Sequence, residues 1–355
     1  MEVQVKSFEQ LTHLGRGRRL RPLAHGLLEE RFGIRATSLE QIAETVNLVY
    51  RVRTSSSQRY VLRMTPPAHF HDRRDVCSEM AWLNALHQEG IGVPVPVPAQ
   101  DGSTVVSTSW EGIPGEWHCV LFDWITAADL ASRWTNPNIE RYGRLSAQLH
   151  LAGSRFRPPQ GFRIRSASRV FPHCDPAFEN PEPLVLFDGA PEELISGERR
   201  ALLQHAHERA HDAIERLFAS GTPQPIHNDL HPWNVMINRD TTYAIDFENL
   251  LMGYPVQDIG TTLNYFSGYF RDEAPLEERV AAFRRGYESV APWPEAYPGQ
   301  IRTMTVSHRL LLCNFYASHK DPEYKEFAVE FLDWCEKRLR EDLAFIEQEA
   351  GGPRK

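Results

Sequence analysis

Acids, amides and imidazoles crowd into one short stretch of the chain, Pro225-Ile226-His227-Asn228-Asp229-Leu230-His231-Pro232-Trp233-Asn234, with Ile245-Asp246-Phe247 a little further on. The apolar runs 235–237 and 242–245 flank the polar stretch Asn238-Arg239-Asp240-Thr241, a pattern that predicts a β-hairpin turning about Asp240. A turn centred there sets Asn234 opposite Asp246, and cross-strand neighbours sit roughly 5 Å apart. An amide oxygen beside a carboxylate, with room left for water and phosphate oxygens, suits Mg²⁺. Asp229 lies on the loop that enters the hairpin, placed to take a proton from a nucleophile facing a metal-bound phosphate. The pattern therefore reads as a base, an amide ligand and a carboxylate ligand for phosphoryl transfer.

Other elements must hold this loop and the phosphates. Strand-like runs at 36–43, 48–53 and 59–64 precede a helix at 73–89, whose apolar positions Val76, Met80, Leu83 and Leu86 recur at helical spacing. Further strands are expected at 104–109 and 117–122. In Tyr60-Val61-Leu62-Arg63-Met64 the two-residue period puts Val61 and Arg63 on one face. A cation on that face can hold the α- and β-phosphates of a nucleotide. Glu79, on the helix face of Leu83 and Leu86, can pair with Arg63 and orient it, although an ordinary surface ion pair gives the same pattern. Beyond residue 123 helical patterns dominate, at 139–151, 198–219, 276–290 and a long C-terminal stretch. Strands first and helices after indicate an α+β protein with two lobes.

Composition bounds the function. The chain has 355 residues, 41% hydrophobic and 24% charged, with a formal charge of -8. That length buries a full core, and that charge argues against nucleic acid binding through a broad basic surface. Cys77, Cys119, Cys174, Cys313 and Cys335 are widely spaced and form no CxxC pair, as reduced thiols of a cytoplasmic protein do. The first ten residues lack the pattern of a secretory signal, and no apolar run approaches the roughly 20 residues of a membrane span. Residues 1–21, with Arg16, Arg18, Arg19 and Arg21, read as a polar N-terminal arm before a short helix at 23–32.

The His-x-Asp, the Asn five residues beyond that Asp, the Ile245-Asp246-Phe247 run and the downstream Gly253-Tyr254-Pro255-Val256-Gln257-Asp258-Ile259 together resemble the aminoglycoside phosphotransferase and choline kinase-like family. The resemblance covers about 36–265. It implies a bilobal protein-kinase-like fold: a nucleotide-binding lobe over 22–122 built on a small antiparallel sheet, and a larger helical lobe over 123–350 carrying the site. It makes Asp229 the catalytic base, Asn234 and Asp246 the Mg²⁺ ligands, and His227 and Asp258 braces of the loop. ATP or GTP is then the cofactor, with Leu121-Phe122-Asp123-Trp124-Ile125 the hinge against which adenine stacks, unless Phe122 and Trp124 are simply core. No GxGxxG loop is present. Its nearest equivalent is Glu44-Thr45-Val46-Asn47-Leu48, where Asn47 is a phosphate contact or a plain turn residue. Two departures stand out: Asn228 where the family often has Gly, and Arg63 where it often has Lys, which are different phosphate ligands. Tyr142-Gly143-Arg144-Leu145-Ser146-Ala147-Gln148-Leu149-His150 resembles the family's central helix and reads as scaffold.

The acceptor implied is a hydroxyl of a small molecule such as an aminoglycoside, an amino alcohol or a homoserine-like compound; the similar stress-response kinase acts on protein Ser/Thr instead. Trp233, Trp293, Trp334 and the acids Glu323, Glu326, Glu330 and Asp333 are available to recognise an amine. Phe327, Phe331 and Trp334 also sit at helical core spacing, which makes the acids a solvated face. Two rivals remain. His207-Glu208-Arg209-Ala210-His211 matches the HExxH pattern of a zinc hydrolase, but its flanks are polar, no third ligand is visible, and a coincidence on a solvated helix face explains it as well. Arg63 also admits a nucleotide-binding protein without catalysis, against which the intact Asp229, Asn234 and Asp246 stand.

Overall fold

The computed structural model describes residues 7–44, 47–67, 72–176, 181–267, 275–319 and 322–351. They form two compact units, one of residues 1–126 with 158–163 and the other of 127–157 with 164–355.

The first unit opens with helix α1 (His13–Phe32), continues through β1 (Ala36–Glu44), β2 (Leu48–Thr54) and β3 (Arg59–Thr65), then α2 (Arg73–Gln88), β4 (Val106–Thr108) and β5 (Trp117–Asp123). The strands make an antiparallel sheet in the order β1-β2-β3-β5-β4. The expected polar arm is largely absent from residues 8–21. Thr12 caps α1 by accepting from the Gly15 N–H at 3.2 Å, so the helix begins ten residues before the expected 23. Leu20, Ala24, Leu27 and Leu28 then fall on one face and enter a core with Phe8, Tyr50, Val52, Leu62, Met64 and Leu121. Gly15, Gly17 and Pro22 disguise this stripe by lowering helix propensity, and the arginines by making the segment polar, while packing overrides both.

Asp72 caps α2, accepting from the Arg74 and Asp75 N–H groups at 2.7 and 3.0 Å. The segment 158–163 returns to this unit through Arg163, whose guanidinium meets Asp72 at 2.7 Å and whose N–H donates to Ser78 Oγ at 2.8 Å. Nothing in the sequence pattern announced that return.

The second unit contains β6 (Ala128–Asp129), α3 (Asn136–Arg155), β7 (Arg165–Ser166), α4 (Gly197–Ser220), β8 (Gln224–Ile226), β9 (Val235–Ile237), β10 (Thr242–Ala244), β11 (Leu251–Gly253), α5 (Pro255–Phe266), α6 (Leu276–Glu288), α7 (Gln300–Ser318) and α8 (Pro322–Gly351). Its strands form two small sheets, β10-β9-β6 and β7-β11-β8. Helices α3 and α6 touch backbone to backbone through Gly143 and Gly286: a Cβ at Gly143 would lie 1.9 Å from the Phe283 carbonyl, and one at Gly286 would lie 1.8 Å from that of Glu140. This close approach seats Tyr142 and His150 of α3 beneath the loop 227–234. Among the described residues no helix is long and apolar enough to cross a membrane.

Candidate active site

The loop 227–234 links β8 to β9 and is held from below by buried polar groups. Asp258, in the first turn of α5 where the helix dipole favours an anion, accepts from the His227 N–H at 3.1 Å and the Asn228 N–H at 2.6 Å. His150 Nε2 reaches the same carboxylate at 3.1 Å, while its Nδ1 lies 2.9 Å from the Tyr287 hydroxyl. Burial alone would raise the Asp258 pKa, but the hydrogen bond and charge of His150 outweigh it and hold the carboxyl below its ordinary value. Tyr142 donates to the Leu230 carbonyl, which also accepts from Thr262 Oγ1 at 3.0 Å. His227 accepts the Asp229 N–H on Nδ1 at 3.3 Å and donates from Nε2 to the Ile245 carbonyl at 2.9 Å, tying the loop to the hairpin exit.

Asn228 has φ +64°, the left-handed region. Asn tolerates that region, so the loop makes its turn without the Gly of the resembling family.

The hairpin register differs from expectation by one residue. Ala244 pairs with Val235, and the Ile245 N–H donates to the Asn234 carbonyl at 2.9 Å, so Ile245, not Asp246, faces Asn234. The turn sets this register: Asn238 Oδ1 accepts from the Asp240 and Thr241 N–H groups at 3.0 and 2.8 Å, placing the tip between Arg239 and Asp240. Asp246 follows at φ +65°, where the chain leaves the strand.

Asn234 Nδ2 donates to the Asp229 carbonyl at 2.9 Å and approaches Asp229 Oδ2 at 3.4 Å, which leaves Asn234 Oδ1 to act as an acceptor. Asn249 Nδ2 also reaches Asp229 Oδ2, at 3.3 Å, and among the described residues no donor reaches Asp229 Oδ1. His231 Nε2 stands 3.9 Å from Oδ2, but burial and the neighbouring His227 push its pKa down to about 3, so the ring is neutral and the contact is not an ion pair. Burial and then the charge of Asp246 raise the Asp229 pKa well above the ordinary carboxylate range. Asp229 and Asp246 thus repel each other beside the Asn234 amide, an all-oxygen donor set. Carboxylate and amide oxygens together are donors of the kind that suit Mg²⁺.

In the first unit, Arg63 and Glu79 form a bidentate pair, Nη1 to Oε1 at 2.8 Å and Nη2 to Oε2 at 2.5 Å, with side chains only 8% and 6% exposed. This is a buried, oriented guanidinium, not a surface ion pair. Arg63 shares its strand face with half-buried Val61 and lies 5.6 Å over the Phe122 ring. The 122–125 segment differs from a bare hinge. The Asp123 and Trp124 N–H groups are already given to the Val95 and Arg59 carbonyls at 3.1 and 3.3 Å, so neither is spare for a base. Trp124 lies between Arg51 and Arg59, 5.7 and 5.3 Å from its ring, and Phe122 is buried. Asn47 is buried beside β2, whereas Thr45 and Val46 of the expected phosphate loop lie outside the described residues.

The other candidates separate as clearly. His207 is not on a solvated face: it stacks on Phe171 at 5.7 Å and meets Phe187 at 5.3 Å, while His211 pairs with Glu215 at 3.3 Å. Among the described residues no group of three His, Cys, Asp or Glu is arranged to hold a metal there. Trp293 packs edge-on against Phe283 and Tyr287, and Arg309 covers Trp334. Asp333 is paired with Arg199, and the side chains of Glu323 and Glu326 lie outside the described residues. Phe327, expected in the core, is 40% exposed. Trp233, 41% exposed, lies on the loop itself, edge-on to His231 and Tyr265. Sequence reading missed Asn249, and it took His150 and Tyr142 for scaffold alone; only contacts across 20 to more than 100 residues reveal them.

A profile of the phosphotransferase enzyme family matches residues 38–293, well over half of the chain and all of the loop, hairpin and Arg63 strand. The chain belongs to this family. It is a phosphotransferase of the kinase type. The amicoumacin kinase of Bacillus subtilis (strain 168) is 23% identical over 270 residues, covering 72% of this chain and 73% of that protein. Among solved structures, a microcompartment-associated aminopropanol kinase has a TM-score of 0.76 at 24% identity, covering 91% of this chain and 98% of the other. An amicoumacin kinase in complex with AMP-PNP, Ca²⁺ and Ami has a TM-score of 0.70 at 16% identity, with 90% and 93% covered. A spectinomycin phosphotransferase in complex with ADP and spectinomycin has a TM-score of 0.64 at 12% identity, with 92% and 98% covered. The shared fold is the α+β protein-kinase-like one.

Proposed function

We propose that this phosphotransferase moves the γ-phosphoryl group of ATP or GTP to a hydroxyl of a small molecule, with Asp229 as base and Asn234 and Asp246 as Mg²⁺ ligands. The observation that carries this reading is the loop itself, where Asp229, Asn234 and Asn249 interlock above the buried Asp258–His150 support. Asp229 Oδ1 takes the acceptor's proton as its oxygen attacks the γ-phosphorus and the bond to the β-phosphate oxygen breaks, releasing the nucleoside diphosphate. Asn234, held by its amide nitrogen on Asp229, would offer its Oδ1 to the cation. Bound Mg²⁺ supplies charge neutralisation to the phosphate oxygens. Arg63, preset by Glu79, supplies a fixed guanidinium for the α- and β-phosphates. His227 and Asp258 keep the loop in place without touching the reactants.

The relatives named above act, by their names, on small molecules, which supports the same for this chain. The five free cysteines agree with a cytoplasmic setting. The test is Mg²⁺-dependent consumption of ATP and of GTP across amino alcohols, aminoglycosides, sugars and hydroxy acids, with the product followed by ³¹P NMR. Appearance of a phosphate ester is the expected result; nucleotide consumption that no acceptor stimulates would sink the reading.

A further inference from the structure

Within the second unit a pocket opens beside the catalytic loop, lined by Arg169, Asn228, Thr261, Ser307 and His308 together with apolar residues such as Met304. Its chemistry is unlike that expected for a polyamine acceptor.

His308, on α7, is only 7% exposed, yet its Nε2 has no hydrogen-bond partner. The ring is neutral, because burial and then the adjacent Arg309 push its pKa down to about 3. A buried imidazole nitrogen left unpaired costs stability unless a ligand or water completes it. Asn228 adds an amide to the same pocket, although its left-handed backbone would be met equally by glycine, so the turn does not demand this side chain. The next residue along the chain is Asp229. Arg169 is the charged residue of the lining: its Nε meets Asp175 at 3.3 Å, and its side chain is 60% exposed, with the Nη groups left to donate. Among the described residues no carboxylate lines the pocket: Asp175 is the partner of Arg169, and Asp258 is already held by His150 and two backbone N–H groups.

We infer that this pocket is the acceptor site and that the acceptor is a small hydroxy acid, its carboxylate held by Arg169 and its hydroxyl set by Asn228 and His308. The inference rests on the kinase reading of the Asp229 loop. A guanidinium meeting a carboxylate through two parallel N–H groups gives both the charge complement and the orientation that a short acceptor needs.

The test compares four probes, glycerate and homoserine against glycerol and 1-amino-2-propanol, by Mg²⁺-ATP-dependent phosphate transfer and, without nucleotide, by saturation-transfer NMR. The acids are expected to show at least ten-fold higher kcat/KM than their carboxylate-free counterparts. Arg169→Gln, an exposed change that leaves the core untouched, should raise KM for the acids at least ten-fold and move KM for glycerol less than two-fold. Asn228→Gly, which keeps the backbone turn, should raise KM for every probe, as should His308→Phe, with His308→Gln restoring part of the loss. Preference for the amine, failure of both acids to bind or react, or an Arg169→Gln effect equal for all probes overturns the inference and leaves the kinase reading standing. Turnover unchanged by Asp246→Ala would instead overturn the kinase reading, while the NMR arm still reports on the pocket.

Discussion

The loop 227–231 and the helical segment 207–211 each place two histidines and an acid within five residues, but their surroundings differ in kind. Around the loop, Asp258, His150, Tyr142, Thr262 and Ile245 each take or give a hydrogen bond, so the loop backbone, His227 and Asp258 are held in one orientation. On α4, His207 is packed against Phe171 and Phe187, and His211 is tied to a surface glutamate four residues on. Spacing alone is thus poor evidence of chemistry. What separates a site from a coincidence is a buried second layer that leaves the acting atoms no alternative geometry.

The sharpest way to break this comparison is to strip the loop of its charges. Asp246→Ala should lower Mg²⁺-dependent turnover by roughly 10³-fold or more. Asp229→Asn should lower kcat by roughly 10²–10⁴-fold while nucleotide affinity, read by calorimetry, stays within about two-fold. Native rates in either variant would place the loop on a level with α4.

Removing the support comes next. Asp258→Ala leaves His150 and two backbone N–H groups without their acceptor, and should cost about 3 kcal/mol in urea denaturation. The pH dependence has a definite sign. The folded Asp258 pKa lies below its unfolded value of about 3.9, so its contribution is present above that pH and lost as pH falls through the folded pKa.

A milder probe uses His308. Its pKa is about 3 folded and about 6.5 unfolded, so the unfolded chain binds the extra proton and stability falls as pH drops from 6.5 toward 3. This one group should make the protein about 2 kcal/mol less stable at pH 5 than at pH 7, and His308→Gln should remove that part of the slope. The smallest effect belongs to α4: His211→Ala should change stability by no more than about 0.5 kcal/mol and leave turnover at the native level. Stoichiometric zinc lost on that substitution would reverse the contrast between the two segments.

Much of this was legible beforehand. The strands at 36–44, 48–54 and 59–65 and the helix at 73–88 match their expected positions closely, and the hairpin forms where expected but one residue out of register, because turn residues and apolar periods are local signals. The helix start at His13 and the return of 158–163 to the first unit were not, since packing partners far along the chain decide both.

Asp229, Asn234, Asp246, Arg63 and Glu79 were singled out by residue type, by spacing and by the family resemblance those residues carry, which together pointed to the class of chemistry. Tertiary structure decided the rest. It set the hairpin one residue away from the expected register, through an Asn238 side chain that only a formed turn can satisfy. It joined Asp258 to His150 across 108 residues, and it buried His308 with Nε2 unpaired at a pocket lined, among the described residues, by no carboxylate. A sequence shows which groups are present and how the near ones are spaced. Which distant groups are forced to share one dry volume, and so which are oriented, shifted in pKa or left wanting a partner, follows from packing.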